Sequence, residues 1–398
     1  MKEKGSVFTG SRNRRSFLQS GMVAGAATIG AALLPASPVA FAAENEDHAP
    51  ITKGDIAILT FLSALEQVEA DLWIQYAELG GATNQGLSPI DLKLNDQNII
   101  KTGLAPNYIT ALEVLDGDMP QYIADNTDDE ISHHRFLNNY LASKGAKTID
   151  LSEFAILPPS QVTGVPQNPR LTNLKQLTVD TSWWTRLRSD SANPDFGGKF
   201  EHAVPDLAKG HHPAIPLNDG DLALDGGNIS NHLQAIANTA GFHFAFIEQG
   251  GSSLYPALAQ KVSNLEVLRI LLSIGGSEIA HFQTWHDKAG NATNITDGDL
   301  TFPDLNIAVD PNNGSSGNNI ADEFQTNLIM PEPTLFLNPI LGPVSIIRPT
   351  STAQGGAVAS VVSFAEDGLF RDPSGNNTGI VDKLMRLAEE ADAARRRF

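Results

Sequence analysis

The chain has 398 residues, 27 Lys+Arg against 46 Asp+Glu, a formal net charge of −19 and no cysteine. With 41% hydrophobic residues it can build a packed core, which argues against global disorder. Its acidity makes it a poor partner for nucleic acid. The missing cysteines exclude disulfides, thiolate metal sites, iron–sulfur clusters and a Cys nucleophile, so any metal must be held by His, Asp and Glu. The length fits two to three domains, or one domain with long insertions.

Residues 1–42 read as an address. Lys2, Lys4, Arg12, Arg14 and Arg15 stand against a single acid, Glu3, and an apolar small-residue run follows from Gly21 to Leu34. That run is too short and too rich in Gly and Ala for a stable membrane span. Ala40-Phe41-Ala42 supplies an A-x-A cleavage signal. Arg14-Arg15 followed by Ser16-Phe17-Leu18-Gln19 resembles the twin-arginine export signal. A periplasmic or secreted protein, without a stable membrane span after cleavage, is the expectation.

The elements then follow in chain order. Ile56–Leu79 carries apolar residues at spacings of three and four (Leu59, Leu62, Leu65, Val68, Leu72, Tyr76), which predicts a helix ended by Gly80-Gly81. Gly81–Pro106 is polar and turn-rich and reads as a loop. Asn107–Leu115 and Tyr122–Ser143 read as helices, with Gly117 and Pro120 between them and Asp128 and Asp129 in the first turns of the second. Together, 43–145 form a first helix pair.

Residues 146–230 are rich in Pro, Gly, Asn and Asp and read as an irregular insertion, with short strands expected around Leu174–Leu187. Asn231–Ala259 and Leu265–Lys288 return to helical spacing, so 231–290 form a second pair. Ser263 with Glu266 fits a capping box at the start of the latter helix. Residues 291–398 read as an irregular extension closed by a charged helix, Asp382–Arg396.

Chemistry concentrates in two Glu-x-x-His motifs, Glu130-Ile131-Ser132-His133 and Glu278-Ile279-Ala280-His281. Positions i and i+3 share a helix face, so each motif can aim a carboxylate and an imidazole at one point. Each follows a helix with its own acid inside an apolar stripe: Glu66 and Glu69 within Leu62–Trp73, and Glu248 beside Phe246 and Ile247. Charges there are costly unless paired or metal-bound. Register supports a shared site. Glu248 lies 15 residues before Ser263 and Glu278 lies 15 after it, so a turn at Ser263 puts both at one level, about 22 Å from the turn.

The set Glu, Glu-x-x-His, Glu, Glu-x-x-His on four helices is the ligand arrangement of di-iron and di-manganese carboxylate bundles. Carboxylates offset and bridge two divalent ions, and one imidazole each suits iron or manganese. Here the sequence resembles the ferritin-like superfamily, and more narrowly its secreted, desiccation-related branch. Leu65-Glu66-Gln67-Val68-Glu69-Ala70-Asp71-Leu72-Trp73 is similar to that branch's first-helix motif, L-E-x-L-E-A-x-F-Y, with Trp73 where the motif has Tyr. Glu248-Gln249-Gly250-Gly251 with Tyr255 is similar to its E-x-x-G-x-x-x-Y pattern. Gly368-Leu369-Phe370 and Leu387–Asp392 are similar to its tail.

The resemblance implies an all-α, ferritin-like four-helix bundle with a long irregular insertion and an irregular C-terminal extension. It implies two iron or manganese ions held by Glu66, Glu130, His133, Glu248, Glu278 and His281. Glu69 stands as the alternative first-helix ligand or as a bridging, outer or solvated group, and both Glu66 and Glu69 can face the bundle. Trp73, Tyr76 and Tyr255 are outer-sphere candidates, with core packing as the plainer role. His134 is expected on the surface, as are His211-His212. Trp183-Trp184 is read as an anchor of the insertion. His232, His243 and His286 have no partner legible in the sequence. The expected partners are the metal ions and a small oxidant, dioxygen or peroxide, in ferroxidase-like or manganese-catalase-like chemistry, with homo-oligomers left open. A non-catalytic envelope protein of stress or desiccation that reuses the bundle is the alternative.

Overall fold

A computed structural model describes residues 50–82, 101–188, 201–305 and 356–397 of the chain. The expected leader at 1–42, most of the loop after Gly81 and much of the stretch 291–350 lie outside the described residues. Helix α1 spans Lys53–Gly80, α2 Pro106–Glu113, α3 Met119–Ser143, α4 Ser182–Arg188, α5 Asn231–Ala259, α6 Leu265–Ala289, α7 Ala357–Glu366 and α8 Ile380–Ala393. The described residues also hold short 3-10 helices at Ser152–Phe154 and Asp219–Leu222 and two antiparallel hairpins. The hairpins pair β1 (Leu224–Asp225) with β2 (Asn228–Ile229), and β3 (Ile295–Asp297) with β4 (Leu300–Phe302).

Side-chain bonds fix how the four long helices run. Ser63 and Trp73 of α1 meet His134 and Thr127 of α3, so the two are antiparallel. Tyr76 and Glu66 meet His243 and Tyr255, which makes α1 antiparallel to α5 as well. Tyr140, Asn126, Glu266 and Trp285 set the same relation between α3 and α6. Each helix therefore has two antiparallel neighbours and a parallel helix diagonally opposite. The α3–α5 connection must cross to that diagonal, which takes a long stretch of chain. This is a bundle with one long crossover.

The crossover is the stretch expected to be an insertion, and α1 carries a second polar stripe to hold it. Gln67, Asp71, Gln75 and Glu78 recur at helical spacing. Gln67 bonds the backbone of Ile149 and Leu151. Asp71 accepts the amides of Leu171 and Thr172 and the Thr172 hydroxyl. Gln75 donates to Thr172, and Glu78 pairs with buried Arg170. Trp183 packs on Phe242, Phe282 and His286, and both Trp183 and Trp184 are buried, in keeping with an anchoring role. Buried residues of the helices, the crossover and the C-terminal segment share one hydrophobic core.

Several local expectations are corrected. The segment Leu174–Leu187 holds one bridge, Leu177 to His212, and then turns into α4. The hairpin of this region lies later, where Gly226 and Gly227 take positive φ (56° and 89°) in a two-residue turn between β1 and β2. Asn264, not Ser263, caps α6, its side chain accepting from the amides of Glu266 and Val267. Ser263 instead accepts from the Arg397 amide through its hydroxyl. Because α3 begins at Met119, Asp128 and Asp129 fall in its third turn, beyond the reach of its N-terminal dipole. His134 is half-buried and His212 buried; only His211 of that pair is exposed.

Candidate metal centre

The six residues of the two motifs and their companion acids converge in the middle of the bundle. Glu66, Glu130, His133 and Glu278 each offer an atom to one group, and Glu130, Glu248, Glu278 and His281 to a second; within each group the atoms lie within 4.8 Å of one another. Glu130 and Glu278 belong to both groups. All four carboxylates are buried.

Both imidazoles turn Nδ1 inward. His133 Nδ1 lies 3.3 Å from Glu66, 3.1 Å from Glu130 and 3.3 Å from Glu278. His281 Nδ1 lies 3.1 Å from Glu130 and 3.4 Å from Glu248. The outward nitrogens are held by the opposite helix. His133 Nε2 faces Ser277 Oγ at 3.1 Å, and His281 Nε2 faces Asp129 Oδ2 at 3.0 Å.

Around the carboxylates stand donors that sequence reading missed. Asn126 donates its amide to Glu130 (2.8 Å) and Glu248 (2.9 Å) and accepts the Trp285 indole N–H at 2.7 Å. It precedes Glu130 by one helical turn, a spacing visible in the sequence. Asp129 and Ser277 likewise stand immediately before the Glu of each motif. Tyr255 donates its hydroxyl to Glu66. Trp73 and Tyr76 have no hydrogen bond to the six residues. They pack in an aromatic cluster with Phe244 and Trp285, and Tyr76 bonds His243 Nδ1 at 2.7 Å.

Glu66 rather than Glu69 enters the groups. Glu69 is buried beside them but contributes no atom to either. Burial, then the negative charge of Glu66, Glu278, Glu130 and Glu248, push its carboxyl well above the ordinary range. The same forces raise Glu278 to about 8 and Glu130 to about 7. Burial alone would raise Glu66, yet the adjacent His133 holds it below the ordinary range. Burial opposes charge on both imidazoles, but Glu66 and Glu130 raise His133, while Glu248, Asp129 and Glu130 raise His281.

The donor set fits divalent ions. Glu66 Oε2, Glu248 Oε2, both oxygens of Glu278 and His281 Nδ1 are buried without a hydrogen-bond partner. Buried polar atoms left so are costly unless something else satisfies them. An ion bound at about 2.1 Å sets opposite donors about 4.2 Å apart, close to the spread found here. Carboxylates with one imidazole per group suit iron or manganese.

A four-helix bundle with one long crossover and a buried carboxylate–histidine cluster at its centre defines a class of helical protein compatible with a dinuclear metal site. Comparison with known families agrees: the model described as "Ferritin-like domain" matches residues 54–290, more than half of the chain. The chain therefore belongs to the ferritin-like domain family. No curated protein and no solved structure matches it.

Proposed function

We propose that this chain is an exported ferritin-like oxidoreductase whose cluster holds two iron or manganese ions and meets dioxygen or peroxide there. One observation carries the reading: two donor groups share Glu130 and Glu278 and leave buried oxygens without hydrogen-bond partners. When bound, the ions would supply the redox electrons that the protein side chains lack.

The chain's own residues account for the rest. Glu130 and Glu278, common to both groups, would hold both ions, with Glu66 and His133 completing one group and Glu248 and His281 the other. The Tyr255 hydroxyl fixes Glu66, and the Asn126 amide fixes Glu248 and Glu130. Trp285, buried with Trp73 and Phe244, donates its indole N–H to Asn126 and so ties this aromatic cluster to the Glu130 and Glu248 carboxylates. Export through the twin-arginine route rests on residues 1–42, and it suits a protein that folds and loads metal before crossing the membrane. Among the described residues no helix is long and apolar enough to span one.

Elemental analysis of protein purified through its export route, without an affinity metal column, tests this. About two iron or manganese ions per chain are expected, with most of the metal lost in a Glu278→Gln/His281→Ala variant. Near-zero metal after anaerobic loading with both ions would overturn the reading and leave a non-catalytic envelope protein.

A further inference from the structure

The two ends of the cluster are alike in plan and unlike in support. In each Glu-x-x-His motif the residue just before the Glu reaches across to the imidazole of the other motif. From α3, Asp129 Oδ2 takes His281 Nε2; from α6, Ser277 Oγ takes His133 Nε2. Ser277 donates its own proton to the Ile274 carbonyl at 2.7 Å, so toward His133 it acts as an acceptor. Nε2 of each imidazole therefore donates outward, and Nδ1 is the atom presented to the carboxylates. The acceptors differ in kind: one is a carboxylate, the other a neutral hydroxyl.

The companion acids are alike. Glu248 takes the Asn126 amide on Oε1 and Glu66 takes the Tyr255 hydroxyl on Oε1, and each leaves Oε2 without a hydrogen-bond partner. Glu130, which also takes the Asn126 amide, and Glu278 serve both ends. The difference lies in the partners of the two imidazoles. Access does not separate the ends, because the two imidazole side chains are equally buried, each 10% exposed.

We propose that Asp129 and Ser277 make the two positions unequal. The His281 end (Glu130, Glu248, Glu278, His281) is the tight, resident position. The His133 end (Glu66, Glu130, His133, Glu278) is the weaker one, where a divalent ion exchanges with solution. The proposal rests on the dinuclear reading above. A carboxylate behind a ligating imidazole fixes its tautomer and raises its donor strength, and losing such a partner lowers metal affinity about 10- to 100-fold. Asp129 is half exposed, so water screens its long-range charge and the directed hydrogen bond carries the effect.

Titration of the metal-depleted full chain with Co2+ tests this, read by calorimetry and by visible absorption of the bound ion. The unsubstituted chain should bind in two separable steps. Asp129→Asn should weaken the tighter step about 10- to 100-fold and leave the other unchanged. Ser277→Asp should strengthen the weaker step, and Ser277→Ala, a milder change, should weaken that step alone. Two indistinguishable steps in the unsubstituted chain would overturn the proposal. So would an Asp129→Asn variant with both steps unchanged, or with only the weaker one affected. Absence of any Co2+ binding overturns the dinuclear reading and this inference with it. That outcome is distinct from failure of the inference alone, in which two ions bind with unaltered steps.

Discussion

Gly251 of α5 lies directly against the carboxylate of Glu278 on α6. A Cβ at Gly251 would stand 2.5 Å from Glu278 Oε2, inside any tolerable contact. Glu248, three residues earlier on the same helix, reaches the same cluster. The Glu-x-x-Gly spacing therefore pairs one carboxylate with the space that the facing one requires. Gly251→Ala should raise local helix propensity by about 1 kcal/mol yet displace the shared carboxylate. The expected outcome is a folded protein that retains far less metal at both positions. Circular dichroism and elemental analysis on one sample check this, and full metal retention would show that Glu278 need not sit where it does.

Shared and terminal carboxylates should differ in what their loss removes. Glu278→Gln touches both groups and should take the metal content below one ion per chain. Glu66→Gln touches one group and should leave about one ion. Glu69→Gln should leave the content unchanged, because Glu69 contributes to neither group. Elemental analysis of the three variants ranks them, and metal loss in Glu69→Gln alone would reassign the first-helix ligand.

The Tyr76–His243 bond predicts a stability effect without a metal effect. Both groups are buried, and burial pushes His243 down to about 3, so the neutral ring accepts or donates one proton in a fixed tautomer. Tyr76→Phe leaves that nitrogen without its partner and should cost about 1–3 kcal/mol. Urea unfolding should register the loss while the metal content stays the same.

Asp367 predicts a pH effect away from the centre. Burial, and then the charges of Asp180 and Glu366, raise its carboxyl to about 8, and its Oδ2 has no hydrogen-bond partner. The folded state thus keeps a proton that the unfolded chain gives up near the ordinary value of 3.8. The sign follows: this contribution is fully present below about pH 4, declines as pH rises, and is lost as pH passes about 8. The decline is at most about tenfold in the folding equilibrium per pH unit. Asp367→Asn should flatten that part of the stability–pH curve and raise stability at pH 8. An unaltered slope in thermal unfolding across this window would contradict it.

Much of the fold was legible because its signals are periodic. Apolar residues at spacings of three and four marked α1, α3, α5 and α6 to within a few residues. The register of Glu248 and Glu278 about the α5–α6 turn placed both in one cluster, although the cap proved to be Asn264 rather than Ser263. The stretch 146–230 was harder. It takes its order from Gln67, Asp71, Gln75 and Glu78 on a distant helix and from two buried tryptophans, and no local period announces such contacts. His212 and His134 misled for a related reason: their exposure depends on chain that packs over them.

By itself the sequence determined the helix count of the bundle core, the two Glu-x-x-His faces and the exclusion of thiolate ligands, since these follow from local spacing and composition. Tertiary structure brought Glu66, and not Glu69, into the buried donor groups, although the two share a face of α1 and differ only in what lies opposite. It also brought Asn126, Asp129, Ser277 and Gly251 to the cluster. The cross-helix bonds of Asn126, Asp129 and Ser277 join residues more than 100 positions apart, and only the packing of antiparallel helices brings such distant groups within hydrogen-bond reach.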